Sequence, residues 1–345
     1  MYGGFIRVRN WLYDRNMLPS TPFNFPLIGV GNLAVGGTGK TPMVEYLIKM
    51  LHHQYKVAVL SRGYKRKTRG YGLATAQTTA LEIGDEPMQF HRKFPEIAVA
   101  VGEERLVAIP HLLQDRPDTQ VIILDDAFQH RAVSPGLNIL LTDYGDLYTR
   151  DFLLPAGNLR DSRAAAHRAN MLIVTKCPPE LTEQQQLSLI RELRPLAHQQ
   201  VFFTKITYGI PYHLFSRQPM ALNSELDVLL VCGIANPRPL KEMLVATVHS
   251  YEMLRYPDHH IFDLDDLIEI KQQFERMASG NKMMLTTEKD SVRLLKFESE
   301  LAGYPLAVVP VEHSFLFGGD VDFRESVLNF ISKFHGVHDN SAPNS

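Results

Sequence analysis

The stretch GNLAVGGTGKTP at residues 31–42 constrains the fold of this chain more than any other. It follows the apolar run LIGV at 27–30 and precedes residues 43–51, whose apolar side chains recur at helical spacing. A strand, a glycine-rich turn and a helix in this order are typical of a phosphate-binding loop, in which backbone N–H groups surround the phosphates. The pattern G-x-x-x-x-G-K-[ST] nevertheless has a glycine where this chain has Ala34.

Ala34 replaces only the first and least crowded glycine of the pattern, and it does so with the next smallest residue. In such a loop the lysine reaches the terminal phosphates and the hydroxyl after it ligates Mg²⁺. An ordinary glycine-rich turn between a strand and a helix is the alternative. The residues predicted to bind the nucleotide here are Gly36, Gly37, Thr38, Gly39, Lys40 and Thr41.

A phosphate-binding loop needs an acidic partner at the end of a neighbouring strand. The segment VIILDDAFQHR at 121–131 provides Asp125 and Asp126 directly after four apolar residues, at the predicted carboxyl edge of the sheet. An aspartate pair in this position could also cap a helix or stabilise a turn. Together with the loop, it predicts a Mg²⁺ site formed by Thr41, Asp125 and Asp126. The absence of a guanine-reading N-K-x-D motif favours ATP over GTP.

Short apolar runs separated by helical stretches predict an α/β fold with parallel sheets. We expect a P-loop-type α/β/α nucleotide-binding domain over 21–205 and a second, smaller α/β domain over 224–335. Residues 206–223, rich in proline and aromatic residues, are interpreted as a linker. Residues 1–20 are interpreted as a separate amphipathic segment, and the polar residues 336–345 as a frayed tail.

Composition excludes several classes of protein. The 345 residues carry 36 basic and 38 acidic side chains, a net charge of −2, so no overall field attracts nucleic acid. The two cysteines, Cys177 and Cys232, lie far apart in apolar segments and favour a reducing compartment. The sequence contains no apolar run of the roughly 20 residues that span a bilayer, and it indicates no obligate protein partner.

Several segments together resemble one family, the tetraacyldisaccharide 4'-kinases of lipid A biosynthesis. They occur in order along most of the chain. The matching segments are GNLAVGGTGKTP, SRGYKR at 61–66, GDEP at 84–87, LDDAFQHR at 124–131, LPAGNLRDS at 154–162, GIANP at 233–237, YPDHH at 256–260 and TTEKDSVRL at 286–294. The combination of LDDAFQHR with GDEP and this loop is highly specific.

The resemblance implies ATP- and Mg²⁺-dependent phosphorylation of the 4'-hydroxyl of an acylated glucosamine disaccharide 1-phosphate, giving lipid IVA at the cytoplasmic face of the bacterial inner membrane. It also implies two α/β/α domains with the active site between them. The chain departs from the family pattern in two places. Arg160 is followed by Asp161 where the family has glutamate, and Ser291 stands where alanine is common.

The resemblance further implies roles for individual residues. Asp85 in GDEP would accept the proton of the sugar hydroxyl, and His259 would hold and tune that carboxylate. Without the resemblance, the sequence favours a loop carboxylate for Asp85 and a surface or linker histidine for His259. Lys40 would be catalytic as well as phosphate-binding. The predicted substrate-binding residues are Arg62, Gln129, His130, Arg131, Arg160 and Asp161.

Two of these predictions leave alternatives open. Arg131 could neutralise charge on a substrate or could pair with a surface carboxylate. Arg62 begins the basic run RGYKRKTR at 62–69, which could attract a phosphate or could be a solvated face. A further prediction places Glu288, Lys289 and Asp290, which follow a strand of the second domain, against the adenine or ribose.

The first 18 residues, MYGGFIRVRNWLYDRNML, bring Phe5, Val8, Trp11 and Leu12 together on a helix that is also rich in arginine. Interfacial helices combine such residues to enter the headgroup region of an anionic membrane. The alternative is an amphipathic helix packed on its own domain. We expect peripheral contact with the inner membrane.

Two other functions compete with the lipid kinase. One is a soluble P-loop ATPase or switch protein without a lipid acceptor, which would need a residue that positions water. The other is a kinase for a small soluble sugar or nucleoside. The ATPase would need no site for acyl chains, and the soluble kinase would not need the aromatic, arginine-rich N-terminal segment.

Overall fold

The structure, a computed structural model, describes residues 2–335 and divides into two compact units. Residues up to Thr207, together with those from Glu312 onward, form the first unit, and Tyr208–Val311 form the second. Within the described residues, no helix is both long enough and apolar enough to cross a membrane.

The first unit contains a sheet of nine strands and a separate pair of short parallel strands. The strands are β1 (Thr21–Pro22), β2 (Leu27–Asn32), β3 (Val57–Ser61), β4 (Gly72–Leu73), β5 (Ala98–Val101), β6 (Val121–Asp125), β7 (Val133–Ser134), β8 (Leu137–Asp143), β9 (Met171–Thr175), β10 (Gln200–Tyr208) and, after the second unit, β16 (Val311–Phe315). Its helices are α1 (Tyr2–Asp14), α2 (Lys40–Leu51), α3 (Ala80–Ile83), α4 (Asp85–Lys93), α5 (Arg105–Asp115), α6 (Glu183–Leu193) and α11 (Gly319–His335), with a 3₁₀ helix at Arg163–Arg168.

The order of strands in the large sheet is β16-β10-β9-β8-β2-β6-β3-β5-β4. The neighbours from β10 to β5 pair in parallel, whereas β4 pairs with β5 in the antiparallel sense. Val30 of β2 lies opposite Asp125 of β6. Because parallel strands end at one edge, this register places the glycine-rich loop after β2 beside the aspartate pair at the end of β6.

All six residues of β2 are buried, as expected for a strand covered on both faces. Helix α2 buries Val44, Leu47, Ile48 and Leu51 against the sheet, the stripe that the sequence predicts. Each such side chain contributes about 1.5–3 kcal/mol when it is removed from water. Burial of this face therefore fixes the helix whose first residue is Lys40.

The second unit contains a sheet of five strands in the order β11-β15-β14-β12-β13. These are β11 (Tyr212–His213), β12 (Asp227–Cys232), β13 (Ser250–Arg255), β14 (Lys282–Thr287) and β15 (Leu306–Val309). Its helices are α7 (Arg238–Thr247), α8 (Leu264–Arg276), α9 (Glu288–Leu294) and α10 (Glu298–Leu301), with a 3₁₀ helix at Leu295–Phe297. All strands but the antiparallel edge strand β11 are parallel to their neighbours.

The predicted fold class is confirmed, but the predicted boundaries require two corrections. Residues 312–335 belong to the first unit, because the apolar face of α11, including Phe323, Val327 and Ile331, packs into the core that contains α2. The predicted linker 206–223 completes β10 and then forms β11, a strand too short to show a sequence period. The predicted frayed tail, 336–345, lies outside the described residues.

Candidate active site

The glycine-rich loop runs from the end of β2 to the start of α2, and two of its glycines have left-handed backbone conformations. The φ angles of Gly36 and Gly39 are +108° and +85°. A Cβ atom at Gly36 would have no neighbour within 4 Å, so glycine is required there for its conformation and not for space. At Gly39, a Cβ atom would also come within 3.0 Å of the His313 ring.

The first half of the loop shows why alanine replaces glycine at position 34. Ala34 forms an isolated antiparallel β-bridge with Leu159, and the N–H of Val35 donates to the carbonyl of Asn158 at 2.8 Å. The N–H of Arg160 donates to the carbonyl of Leu33 at 2.7 Å. Because this segment is extended and paired, alanine is accommodated, and the same pairing brings Arg160 to the loop.

Two cations converge on one carboxylate beside the loop. Arg160 donates two hydrogen bonds to Asp126, at 2.9 and 3.1 Å, and Lys40 Nζ lies 3.5 Å from the same carboxylate. Both cations also donate to Oδ1 of Asn32, Arg160 at 2.6 Å and Lys40 at 3.2 Å. The predicted phosphate-binding lysine and the predicted substrate-binding arginine therefore share one charged cluster.

The two aspartates at the carboxyl end of β6 differ in their electrostatic surroundings. Burial and the charge of Asp126 raise the pKa of Asp125, which accepts a hydrogen bond from Ser61 at 2.9 Å. Burial alone would also raise the pKa of Asp126. The charges of Lys40 and Arg160 outweigh that effect and hold the pKa of Asp126 below its ordinary value. Asp126 is therefore a carboxylate at any physiological pH.

These residues fit a nucleotide-bound Mg²⁺ ion better than a dedicated metal cage. Among residues 2–335, no group of three or more His, Cys, Asp or Glu side chains could hold a metal. Protein sites for Mg²⁺ in nucleotide complexes use one or two carboxylates and complete the shell with phosphates and water. The Asp125–Asp126 pair and the Thr41 hydroxyl in the first turn of α2 match that donor set.

The segment after the aspartates lies close to the same cluster. Gln129 donates to the carbonyl of Asn32 at 2.6 Å. Burial, together with the charges of Arg105 and Arg62, lowers the pKa of His130 to about 4. His130 is therefore a neutral hydrogen-bonding group at pH 7. Arg62 is exposed directly after β3, so it is available to a ligand.

Arg131 and Asp161, both predicted to bind the substrate, contact helix α1 in this structure. Arg131 donates to Asp14 at 2.6 Å and to the carbonyl of Asn10 at 3.1 Å. Asp161 is buried and accepts from Asn10 at 2.6 Å and from Arg168 at 3.0 Å. Of the two alternatives for Arg131, these contacts are those of pairing with a surface carboxylate, and a substrate role for either residue stays a prediction.

Asp85, the predicted base, is the first residue of α4 and not part of a loop. It follows Gly84, whose φ is +94°, and its side chain is half-buried. The partial positive charge of a helix N-terminus stabilises a carboxylate in this position.

His259, the predicted partner of Asp85, lies in the second unit after β13, with φ at +65°. Arg293 donates to Nδ1 of His259 at 2.8 Å. Lys289 Nζ lies 3.2 Å from Nε2 and donates to Asp258 at 2.6 Å. His259 is thus oriented by a fixed arginine.

The three residues predicted to contact the adenine or ribose have different surroundings. Glu288 is buried and accepts from the N–H of Val311 at 3.1 Å. Asp290 is buried and accepts from the N–H of Gly233 at 2.9 Å. Only Lys289 keeps part of its side chain exposed. Nucleotide contact by these residues stays a prediction.

Sequence reasoning missed three residues of the cluster: Asn32, Ser61 and Arg105. Arg105 is buried, and its guanidinium donates to the carbonyl of Asp125 at 3.1 Å. Asn32 and Ser61 are the last residues of β2 and β3, and a polar residue at a strand's carboxyl end is the signal that could have found them. Arg105 begins α5 and carries no such signal.

The glycine-rich loop, the lysine and hydroxyl at the start of α2 and the acidic end of β6 define a P-loop nucleotide-binding enzyme. A crystal structure of LpxK from Aquifex aeolicus in complex with ATP superposes with a TM-score of 0.73 at 26% identity. The match covers 96% of each chain. It includes the second α/β unit as well as the first.

The family model described as tetraacyldisaccharide-1-P 4'-kinase matches residues 1–332. A tetraacyldisaccharide 4'-kinase from Flavobacterium johnsoniae is 44% identical over 336 residues, which cover 96% of this chain and 95% of the relative. One from Bacteroides fragilis is 42% identical over 341 residues, covering 96% and 91%. The chain belongs to the tetraacyldisaccharide-1-phosphate 4'-kinase family.

Membership confirms the predicted family and enzyme class. The chain is an ATP-dependent kinase of lipid A biosynthesis that phosphorylates a lipid disaccharide. The alternative of a soluble P-loop ATPase without a lipid acceptor is not favoured.

Proposed function

We propose that this chain transfers the γ-phosphate of ATP to the 4'-hydroxyl of a tetraacylated glucosamine disaccharide 1-phosphate, forming lipid IVA, through the residues described above. The observation that carries this proposal is the convergence of Lys40 and Arg160 on Asp126 beside the glycine-rich loop. Two cations held at one point are suited to neutralise the charge that phosphoryl transfer moves. Loop N–H groups and Lys40 would hold the β- and γ-phosphates.

In this proposal, Thr41 and the Asp125–Asp126 pair would hold Mg²⁺, which would neutralise part of the phosphate charge. Lys40 and Arg160, which contact Asp126 in this structure, would pair with phosphate oxygens of the nucleotide. Asp125 is buried and accepts a hydrogen bond from Ser61.

Asp85 accepts the proton of the 4'-hydroxyl while the hydroxyl oxygen forms a bond to the γ-phosphorus. The bond between the γ-phosphorus and the bridging oxygen of the β-phosphate breaks, and ADP is released. His259 acts on Asp85 as a positioning group. Asp85 belongs to the first unit and His259 to the second. The fixed orientation of His259, held by Arg293, supports this role.

Kinetics of Asp85→Asn, His259→Ala and the double variant test the pair. We expect each single change to lower kcat by about 100-fold or more, with ATP affinity retained, and the double variant to be little worse than either. Multiplicative losses would show that the residues act independently. Near-normal turnover by folded Asp85→Asn would show that Asp85 is not the base. His111→Ala, at an exposed position of α5, is a matched control.

We further propose that α1 docks the enzyme on the cytoplasmic face of the inner membrane, where the acylated substrate resides. One face of α1 packs on its own unit through Ile6 and Asn10, which are buried. The opposite face leaves Phe5, Val8 and Trp11 exposed by 68%, 58% and 51%. The helix is therefore both packed on its domain and apolar toward solvent, as interfacial docking requires.

Three features add cationic and aromatic character to this surface. The Arg15 guanidinium lies 5.9 Å from the Trp11 ring, and Arg7 is exposed. Phe152 is 62% exposed, and its neighbour Leu153 would lie 3.3 Å from a Cβ atom at Gly3 of α1. Exposed aromatic groups with arginines among them suit anionic headgroups.

Sedimentation with phosphatidylglycerol vesicles tests the docking. Changing Phe5, Val8 and Trp11 to serine should release the protein, and removal of residues 1–18 should do the same. The matched control changes Leu106, Val107 and Leu187, exposed apolar residues on other helices, to serine and should still sediment. Unchanged sedimentation of both α1 variants would refute the docking proposal.

A further inference from the structure

Two side chains lie beneath the glycine-rich loop and contact the backbone carbonyls of consecutive loop residues. The Thr175 hydroxyl, at the carboxyl end of β9, lies 2.9 Å from the carbonyl of Thr38, its nearer acceptor, and 3.2 Å from the carbonyl of Thr142. Nε2 of His313, on β16, lies 2.8 Å from the carbonyl of Gly39. Neither residue belongs to a recognised loop motif, and they come from strands 138 residues apart in sequence.

The hydrogen-bond partners of His313 determine its tautomer. A carbonyl only accepts, so Nε2 must carry the proton that Gly39 receives. Nδ1 of the neutral ring then accepts from the Thr204 hydroxyl, 3.0 Å away on β10. Both His313 and Thr204 are buried, and burial lowers the pKa of His313 to about 4. The donor at Nε2 is therefore fixed and uncharged at neutral pH.

Peptide geometry transmits these contacts to the opposite side of the loop. In a planar trans peptide, the C=O of one residue and the N–H of the next point in opposite directions. Holding the Thr38 carbonyl toward Thr175 therefore turns the N–H of Gly39 away from the sheet. Holding the Gly39 carbonyl toward His313 does the same for the N–H of Lys40. These are N–H groups that a phosphate-binding loop offers to phosphate.

The close approach of His313 also explains a constraint on the loop. Its ring would lie 3.0 Å from a Cβ atom at Gly39, where φ is +85°. The imidazole thus fills the space beneath the glycine and supports the loop in its left-handed conformation. The hydrogen bond from the Thr204 hydroxyl to Nδ1 fixes the ring plane in turn.

We propose that His313 and Thr175 are positioning residues for the phosphate donor: their back-side hydrogen bonds pre-orient the N–H groups of Gly39 and Lys40 toward the phosphates of the nucleotide. This inference deepens the proposed function, since it depends on the loop binding phosphate. A consequence is that β16, which follows the second unit in the chain, helps to build the nucleotide site of the first.

Affinity for inorganic tripolyphosphate and for ATP with Mg²⁺, measured by titration calorimetry, tests the inference. His313→Leu and Thr175→Val remove one donor each and should weaken binding of both ligands by about 5- to 20-fold. His313→Gln keeps a donor at the ε position and Thr175→Ser keeps the hydroxyl, so both should stay within about threefold of the wild-type protein.

Steady-state kinetics separate positioning from general loss of structure. In His313→Leu, KM for ATP should rise while KM for the acylated disaccharide 1-phosphate stays unchanged. Ile331→Val, on the buried face of α11, is the control for a small packing defect and should alter neither KM value. Equal increases in both KM values of His313→Leu, or the same defect in Ile331→Val, would refute a positioning role.

The outcomes also separate this inference from the proposed function. If the wild-type protein binds both ligands and Thr175→Val, which preserves side-chain shape, binds them equally well, the inference is wrong and the proposed function stands. If the wild-type protein binds neither ligand, the proposed function is refuted and the inference with it. Thr175→Val keeps the test open even if His313→Leu fails to fold.

Discussion

Replacing Asp126 with asparagine should destabilise the nucleotide-free protein, because it removes the carboxylate that holds Lys40 and Arg160 together. Both cations donate to Oδ1 of Asn32, at 3.2 and 2.6 Å, so they remain close when the carboxylate is neutralised. At a separation of about 6 Å and an effective dielectric constant of about 20, two unit charges repel by about 3 kcal/mol.

Solvent weakens the repulsion between Lys40 and Arg160, because the cluster is partly exposed. The Lys40, Asp126 and Arg160 side chains are 17%, 27% and 26% exposed. We therefore expect Asp126→Asn to lower the free energy of unfolding by about 1–3 kcal/mol. Urea unfolding followed by circular dichroism at low ionic strength measures this loss. Added salt should reduce it, because the repulsion is screened.

An anion should reverse the loss. Tripolyphosphate can take the place of the missing charge, so saturating tripolyphosphate should stabilise the variant more than it stabilises the wild-type protein. A ligand at 100 times its Kd adds about 2.7 kcal/mol, which is enough to restore the variant. The same loop would then be shown to bind phosphate.

The matched control is Asp143→Asn, which removes a carboxylate from a more exposed ion pair with Lys176. Such pairs contribute less than about 1 kcal/mol, and their loss should not depend on tripolyphosphate. The reasoning would be refuted if Asp126→Asn unfolded at the wild-type urea concentration without anion, or if tripolyphosphate stabilised both proteins equally.

Three further predictions concern other parts of the molecule. Burial lowers the pKa of His313 to about 4, so between pH 6.5 and 4 this histidine binds a proton only in the unfolded chain. The free energy of unfolding should therefore fall by up to about 3 kcal/mol as pH drops through this range. Urea unfolding at each pH measures the fall, which should be smaller in His313→Gln. Burial raises the pKa of Cys177 to about 12 and that of Cys232 to about 11. Neither thiol should therefore react with a thiol reagent at pH 8 until urea unfolds the protein. Rapid labelling of the native protein would contradict this prediction. Arg131→Ala removes the contacts with Asp14 and Asn10, so amide hydrogen exchange should accelerate in α1 and stay unchanged in α2. If α1 exchanges equally slowly in the variant and in the wild-type protein, this arginine does not hold the helix.

The sequence predicted those parts of the fold that depend on local pattern. Buried strands such as β2 and β6 are continuous apolar runs, and α2 shows a clear helical period, so these elements were found. The return of the chain to the first unit at Glu312 was missed, because α11 is an ordinary amphipathic helix and its pattern does not specify which core it joins. Packing partners distant in sequence leave no local signal.

In the candidate site too, features with a local sequence pattern could be predicted and contacts between distant residues could not. Lys40, Thr41, Asp125 and Asp126 could be predicted because phosphate chemistry fixes their types and their positions at strand ends. The supporting contacts could not, since His313 lies 274 residues from the carbonyl of Gly39 that it contacts. The residue type alone was also insufficient to predict the partner of Arg131. Its charge suits a phosphate as well as a carboxylate, but its observed partners lie in α1.

Transfer of labelled γ-phosphate from ATP tests the central claim most directly. The protein is incubated with Mg²⁺, phospholipid vesicles and tetraacylated glucosamine disaccharide 1-phosphate, and the label in lipid and in free phosphate is counted. The account predicts that label enters the lipid as a 4'-phosphate at one equivalent per ADP formed, and that Lys40→Met abolishes this transfer. Release of the label as free phosphate, with no phosphorylated lipid at any enzyme concentration, would contradict it.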